Sequence, residues 1–208
     1  MGGSGPSRNK FKVVVVVGVP GVGKSTVLAH LSKLAESSGV RLKIVNFGDY
    51  MVSRAIEKKI VNNRDELRKL PLRKQLELQA IAAQEIINDA EKDLGQDSVL
   101  LVDTHALIKT PQGFLPGLPY HVINILKPDA IVLIEADPEE VLARQIRDKS
   151  RHRSDIGGVE DIKRLMEYAR VSAFSSATLL ASTVAIVYNK EGLPEEAAKS
   201  VLQILKGI

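Results

Sequence analysis

Eight residues, Gly18-Val19-Pro20-Gly21-Val22-Gly23-Lys24-Ser25, complete the pattern G-x-x-x-x-G-K-[S/T] directly after five consecutive valines, with Thr26 following. Each residue type in it suits a phosphate chain. The glycines let backbone N–H groups turn inward, and a helix starting at the lysine adds positive potential. Lys24 brings an ammonium to the β and γ oxygens of a nucleotide, and Ser25 offers a hydroxyl to Mg²⁺. A second metal-side group is expected at the end of a neighbouring strand. Leu100-Leu101-Val102-Asp103 fits, with Asp103 holding the ion through a bound water. The competing reading of Asp103 is a helix or turn cap.

What receives the phosphate is decided further along the chain. A guanine-nucleotide switch carries D-x-x-G here, but Asp103 is followed by Thr104, His105 and Ala106. The base-reading N-K-x-D is also incomplete, because Asn189-Lys190-Glu191 is followed by Gly192. Thr104 stands where motor and pump ATPases place a water-activating glutamate. Transfer to a bound acceptor is therefore expected rather than hydrolysis. The run ARQIRDKSRHRSD supplies Arg144, Arg147, Arg151 and Arg153. Arg144 and Arg147 are three apart and share a helix face, and planar guanidinium forks match the charge that spreads over a transferring phosphoryl group. The alternative is a solvated charged face.

These residues need a scaffold that gathers strand ends. Apolar β-branched runs predict strands at 12–17, 41–46, 98–103, 130–136 and 184–189. Helical patterns fill 24–36, 49–59, 71–94, 138–148, 159–182 and 194–205. Alternation of this kind predicts a three-layer α/β fold of the P-loop NTPase class, with a five-stranded parallel sheet between helices. Residues 1–10 read as a flexible tail and 11–208 as one domain.

Composition narrows the classes further. No apolar run approaches the ~20 residues needed to span a bilayer. Without cysteine there is no disulfide or thiolate metal site, and a cytoplasmic location is expected. The net charge of +4 comes from basic residues spread along helices without interleaved aromatics, so nucleic acid is not the expected partner.

Taken together, GVPGVGKST, NFGDYM, NRDELRKLP, VDTHALIKTPQGFLPGLP, EADPEEVLARQIRD and RHRSD resemble the archaeal-type adenylate kinases across Phe11 to Ile208. The resemblance implies reversible, Mg²⁺-dependent phosphoryl transfer from ATP to AMP, giving two ADP. It places an AMP-side segment at about 47–72, where Gly48 and Asp49 open a helix. It makes the stretch from Thr110 to Pro119 a loop that walls the AMP pocket, and leaves a short lid at about 149–158. Arg68, four residues after Arg64, lies on the AMP side as a substrate contact or as helical surface. Where bacterial-type enzymes carry an arginine soon after the strand-end aspartate, this chain has Lys109, an ammonium without a planar fork. Arg170, set among Ala169, Val171, Ala173, Phe174 and Ala177, is expected to be buried against a carboxylate or a substrate phosphate.

Members of that family are commonly trimers. The apolar band on the helix at 71–94, formed by Leu72, Leu76, Ala80, Ala83, Ile87 and Ala90 and widened by Leu78, Ile81 and Ile86, is read as a candidate partner surface or as ordinary core. Two rival functions are a P-loop kinase for another small acceptor, and a nucleotide-regulated RNA- or ribosome-binding protein.

Overall fold

The computed structural model describes residues 7–67, 69–110, 113–147 and 157–208. Arg68, Arg151, Arg153 and most of the expected lid lie outside the described residues.

Five parallel strands form the central sheet: β1 (Lys12–Val17), β2 (Arg41–Asn46), β3 (Ser98–Asp103), β6 (Ala130–Glu135) and β7 (Thr183–Tyr188), in the order β2-β3-β1-β6-β7. Val13 to Val17 are each fully buried. Covering both faces of a central strand removes about 1.5–3 kcal/mol of apolar exposure per valine, which favours a run of β-branched residues over an alternating pattern. Helices α1 (Lys24–Ser37), α2 (Phe47–Glu57), α4 (Leu72–Asp93), α6 (Pro138–Arg147), α7 (Val159–Leu180) and α8 (Pro194–Gly207) fill the connections. Their bounds lie within two residues of the expected ones. The short helices α3 (Arg64–Leu67) and α5 (Tyr120–Leu126) were not expected.

Register matters most at one edge. Asn46 pairs with Asp103 and Asp103 with Val16, while Val17 aligns with Leu133 and Glu135 with Tyr188. All five strands therefore run out on the same side, where the cradle begins.

Two expectations are corrected here. Residues 8–10 are not a loose tail: Arg8 donates to the Leu180 carbonyl at 2.8 Å and faces Asp129, Asn9 donates to the Leu126 carbonyl, and Lys10 donates to the Glu91 carbonyl. The expected AMP-side loop, Thr110 to Pro119, starts at the end of β4 (Leu107–Thr110) and includes β5 (Gly113–Pro116), and the two strands pair as an antiparallel hairpin in which Lys109 pairs with Phe114. Phe114 meets Tyr168 of α7 edge-to-face at 5.6 Å, so the hairpin is docked by an aromatic contact. The apolar band of α4, read as partner surface or as core, packs in part against α2 and α5. Leu78, Ala82, Ala83, Ile86, Ile87 and Ala90 are buried, whereas Leu72 lies outside the buried face.

Candidate active site

The turn from β1 into α1 is closed by glycine geometry. Gly23 has φ 86°, and a Cβ there would stand 2.5 Å from Asn189 Nδ2. Gly18 has an ordinary φ, but a Cβ would meet the Ile134 carbonyl oxygen at 2.6 Å. One glycine is needed for conformation and the other for close approach. No side chain caps the N-terminus of α1, so its first-turn N–H groups keep their capacity for an anion. Ser25 and Thr26 lie exposed in that first turn.

The carbonyls of the cradle are occupied from outside. His105 Nδ1 approaches the Gly18 carbonyl at 3.1 Å, Gln145 Nε2 donates to Pro20 at 2.6 Å, and Asn189 Nδ2 and Arg144 Nη1 donate to Val22 at 2.7 and 3.2 Å. Alternate C=O dipoles are thereby held by side chains, which suits a loop whose N–H groups must meet negative charge.

Lys24 crosses the cradle to the end of β3. Its Nζ lies 3.0 Å from Asp103 Oδ1 and 3.0 Å from the Thr104 carbonyl oxygen, with both side chains largely buried. Asp103 Oδ2 accepts from Asn46 Nδ2 at 2.9 Å. The other end of Asn46 caps α2, its Oδ1 accepting from the Asp49 N–H at 3.2 Å. This corrects the expectation for Gly48 and Asp49: the helix opens at Phe47 under an Asn46 cap, and Asp49 sits in its first turn, where a carboxylate suits the helix dipole.

Arg144 and Arg147 do share one side of α6. Arg144 also donates from Nε to Glu191 Oε2 at 2.8 Å and from Nη2 to Glu140 at 3.1 Å, and Arg147 Nη2 lies 3.6 Å from Glu191 Oε1. The neighbouring arginine forks, Arg144 first, hold the Glu191 carboxyl below its ordinary range. Arg170 differs from expectation in burial. It is exposed, and the buried partner is Glu135 at the end of β6, gripped through Nε and Nη2 at 2.5 Å each. That bidentate bond raises the arginine further above its already high range.

Between α2 and α4 lies a cleft of about 300 Å³ lined by Asp49, Tyr50, Ser53, Arg54, Glu57, Glu85 and Asp89. Arg54 is committed there to Glu57 and Glu85. Burial, reinforced by Asp89, pushes the Tyr50 hydroxyl up.

Sequence reasoning missed Asn46, His105, Gln145, Asn189 and Glu191. Asn189 and Glu191 had been noticed only as half of a failed guanine motif, and Gln145 carried no signal beyond its place between two arginines.

Similarity to known proteins agrees with this geometry. The family profile described as "AAA domain" matches residues 17–163. The adenylate kinase of Saccharolobus solfataricus is 47% identical over 195 residues, 94% of this chain and 100% of that protein. The chain belongs to the adenylate kinase family. The adenylate kinase of Sulfurisphaera tokodaii is 48% identical over 192 residues, and that of Methanocaldococcus jannaschii 41% over 197, covering 98% and 100% of those proteins. Among solved structures, a shikimate kinase from Acinetobacter baumannii in complex with shikimate superposes with a TM-score of 0.59 at 16% identity, covering 95% of this chain and 94% of that one. That likeness speaks for the fold alone. The adenylate kinase membership fits the absence of the switch and motor signatures around Asp103.

Proposed function

We infer that the chain catalyses reversible phosphoryl transfer between ATP and AMP. An AMP phosphate oxygen attacks the γ-phosphorus of ATP, the bond from that phosphorus to the β–γ bridging oxygen breaks, and two ADP result. The observation that carries the reading is the pairing of the cradle with α6, since Arg144 donates to the Val22 carbonyl while its fork stands beside the same loop. Lys24 and the α1 N-terminus bind and neutralise the donor phosphates, and Arg144, Arg147 and Arg153 meet the charge of the transferring group. Gly18 to Thr26 form the ATP side. Gly48, Asp49, Arg68, Lys109 and Arg170 form the AMP side in this reading, and for Arg170 that requires exchange of Glu135 for phosphate.

Mg²⁺ belongs to the same reading. Ser25 and Asp103 offer a hydroxyl and a carboxylate, hard oxygen donors that suit this ion. Among the described residues no group of three or more histidine, cysteine or acidic side chains could cage a metal, so the donor set fits an ion that arrives with the nucleotide and keeps phosphate and water ligands. When bound it would neutralise charge on the β and γ oxygens.

No helix among the described residues is long and apolar enough to cross a membrane, and we place the enzyme in the cytoplasm, acting on free nucleotides. Self-association as a trimer completes the reading. It is supported by exposed Val171, Phe174 and Leu179 on α7 rather than by α4. Light scattering at micromolar concentration should return three chain masses, and a monomer mass removes the trimer.

A coupled assay of MgATP against AMP, CMP, GMP and UMP tests the activity. Turnover with AMP well above the other three is expected, and preference for another acceptor overturns the assignment.

A further inference from the structure

The turn that follows β7 is fixed at three points. The Asn189 N–H donates to the Glu135 carbonyl at 2.7 Å, its side chain reaches Val22, and the Leu193 N–H closes on the Lys190 carbonyl at 3.1 Å with Gly192 at φ 74°. Glu191 stands at the tip of this turn. Its carboxylate is thus presented to α6 with little ordering cost, and it bridges both arginines, Oε2 taking Nε and Nη2 of Arg144 and Oε1 facing Arg147. The bidentate face of Arg144 is the face that would otherwise meet a phosphate.

We propose that Glu191 is a positioning residue for phosphoryl transfer: a built-in counter-ion that holds Arg144 beside the cradle, with Arg147 on the same carboxylate, until nucleotide phosphates displace it. The proposal rests on the reading of these two arginines as nucleotide contacts. An anionic ligand then gains the arginine forks only by giving up the pairs with Glu191, so part of its binding energy is offset. The same exchange returns the arginines to Glu191 as ADP leaves, which favours release. Because Glu191 is exposed, its neutralisation leaves the core untouched.

The test is isothermal titration with MgADP, together with steady-state kinetics in the ADP-forming direction, on Glu191→Gln, Arg144→Met and the double variant. Glu191→Gln is expected to bind MgADP about 10-fold tighter while kcat falls several-fold, because release slows. The tightening should vanish in the Arg144→Met background. Wild-type MgADP affinity in Glu191→Gln, alongside weakened affinity in Arg144→Met, overturns the proposal and leaves the arginine reading standing. Wild-type affinity and turnover in Arg144→Met overturns both. Tightening that persists in the double variant reduces Glu191 to a plain repulsive charge and also overturns the proposal. Glu191→Asp, which keeps the charge on a shorter arm, should move kcat and affinity back toward wild type, whereas a merely structural turn residue would change the melting temperature alone.

Discussion

Lys24 Nζ stands 3.0 Å from Asp103 Oδ1, bridging the first turn of α1 to the strand paired beside β1. In the proposed reading, the cation that serves the donor phosphates is thus held on the carboxylate assigned to the metal. Lys24→Ala is expected to lower kcat at least ~100-fold at saturating ATP and AMP, since the lost charge acts where negative charge accumulates. Near-normal turnover would remove Lys24 from the mechanism.

Gly23 carries both a positive φ and a close neighbour in Asn189. Gly23→Ala should destabilise the fold by about 1–3 kcal/mol, the cost of a left-handed non-glycine residue, and abolish measurable ATP binding. Urea unfolding and titration with MgATP check the two parts, and a stable variant that binds ATP normally would refute the geometry.

Arg144 turns Nε and Nη2 to Glu191 and reaches the Val22 carbonyl of the cradle through Nη1, whereas Arg147 makes a single longer approach to Glu191. Arg144→Lys keeps the charge and loses the fork, so kcat should fall roughly 10-fold or more, about 1.4 kcal/mol. Arg147→Lys should cost less in the unliganded network but equally in kcat if both forks meet the transferring group. Wild-type kcat in both variants would leave α6 a solvated charged face.

Glu135 is buried and its partner Arg170 is exposed. Arg170→Ala strands that carboxylate, and a loss of stability on the order of 1–3 kcal/mol is expected. With Arg170 on the AMP side, the same variant should also raise KM for AMP, and an unchanged KM would take Arg170 out of the acceptor site.

The Glu191 carboxyl titrates below its ordinary range because the Arg144 fork favours its charged form. With the folded value depressed, the pair contributes stability above the unfolded carboxylate range, and that contribution is lost as pH falls through the folded value. The melting-temperature difference between wild type and Glu191→Gln should therefore be constant from neutral pH to about pH 5 and shrink below the ordinary glutamate value of about 4.3. A difference that grows in acid contradicts the pairing.

Legibility followed locality. The cradle, all five sheet strands and the six long helices could be read from the chain, because a run such as Val13 to Val17 or a complete glycine-lysine motif carries its own geometry. The hairpin around Lys109 could not, since β4 and β5 are four residues each and are held by Phe114 against Tyr168, a contact no local pattern announces. Arg170 was misjudged because its apolar neighbours in sequence wrap round the helix, and only some of them face the core. Asn189 and Asn46 were invisible as site residues because each acts on a carbonyl or carboxylate brought near by strand register rather than by spacing.

The cradle's supports lie far along the chain from the loop they hold: His105 is 87 positions from Gly18, Gln145 is 125 from Pro20, and Asn189 is 167 from Val22. During synthesis, which proceeds from the N-terminus, the glycine loop emerges among the first ordered segments, while the side chains that set its carbonyls emerge in stages, Asn189 among the last. Parallel pairings of such separation close slowly. Ribosome-bound nascent chains halted before β7 should therefore carry the whole phosphate motif and yet retain ATP poorly. Nucleotide capture would then report completion of the sheet, not the appearance of the motif.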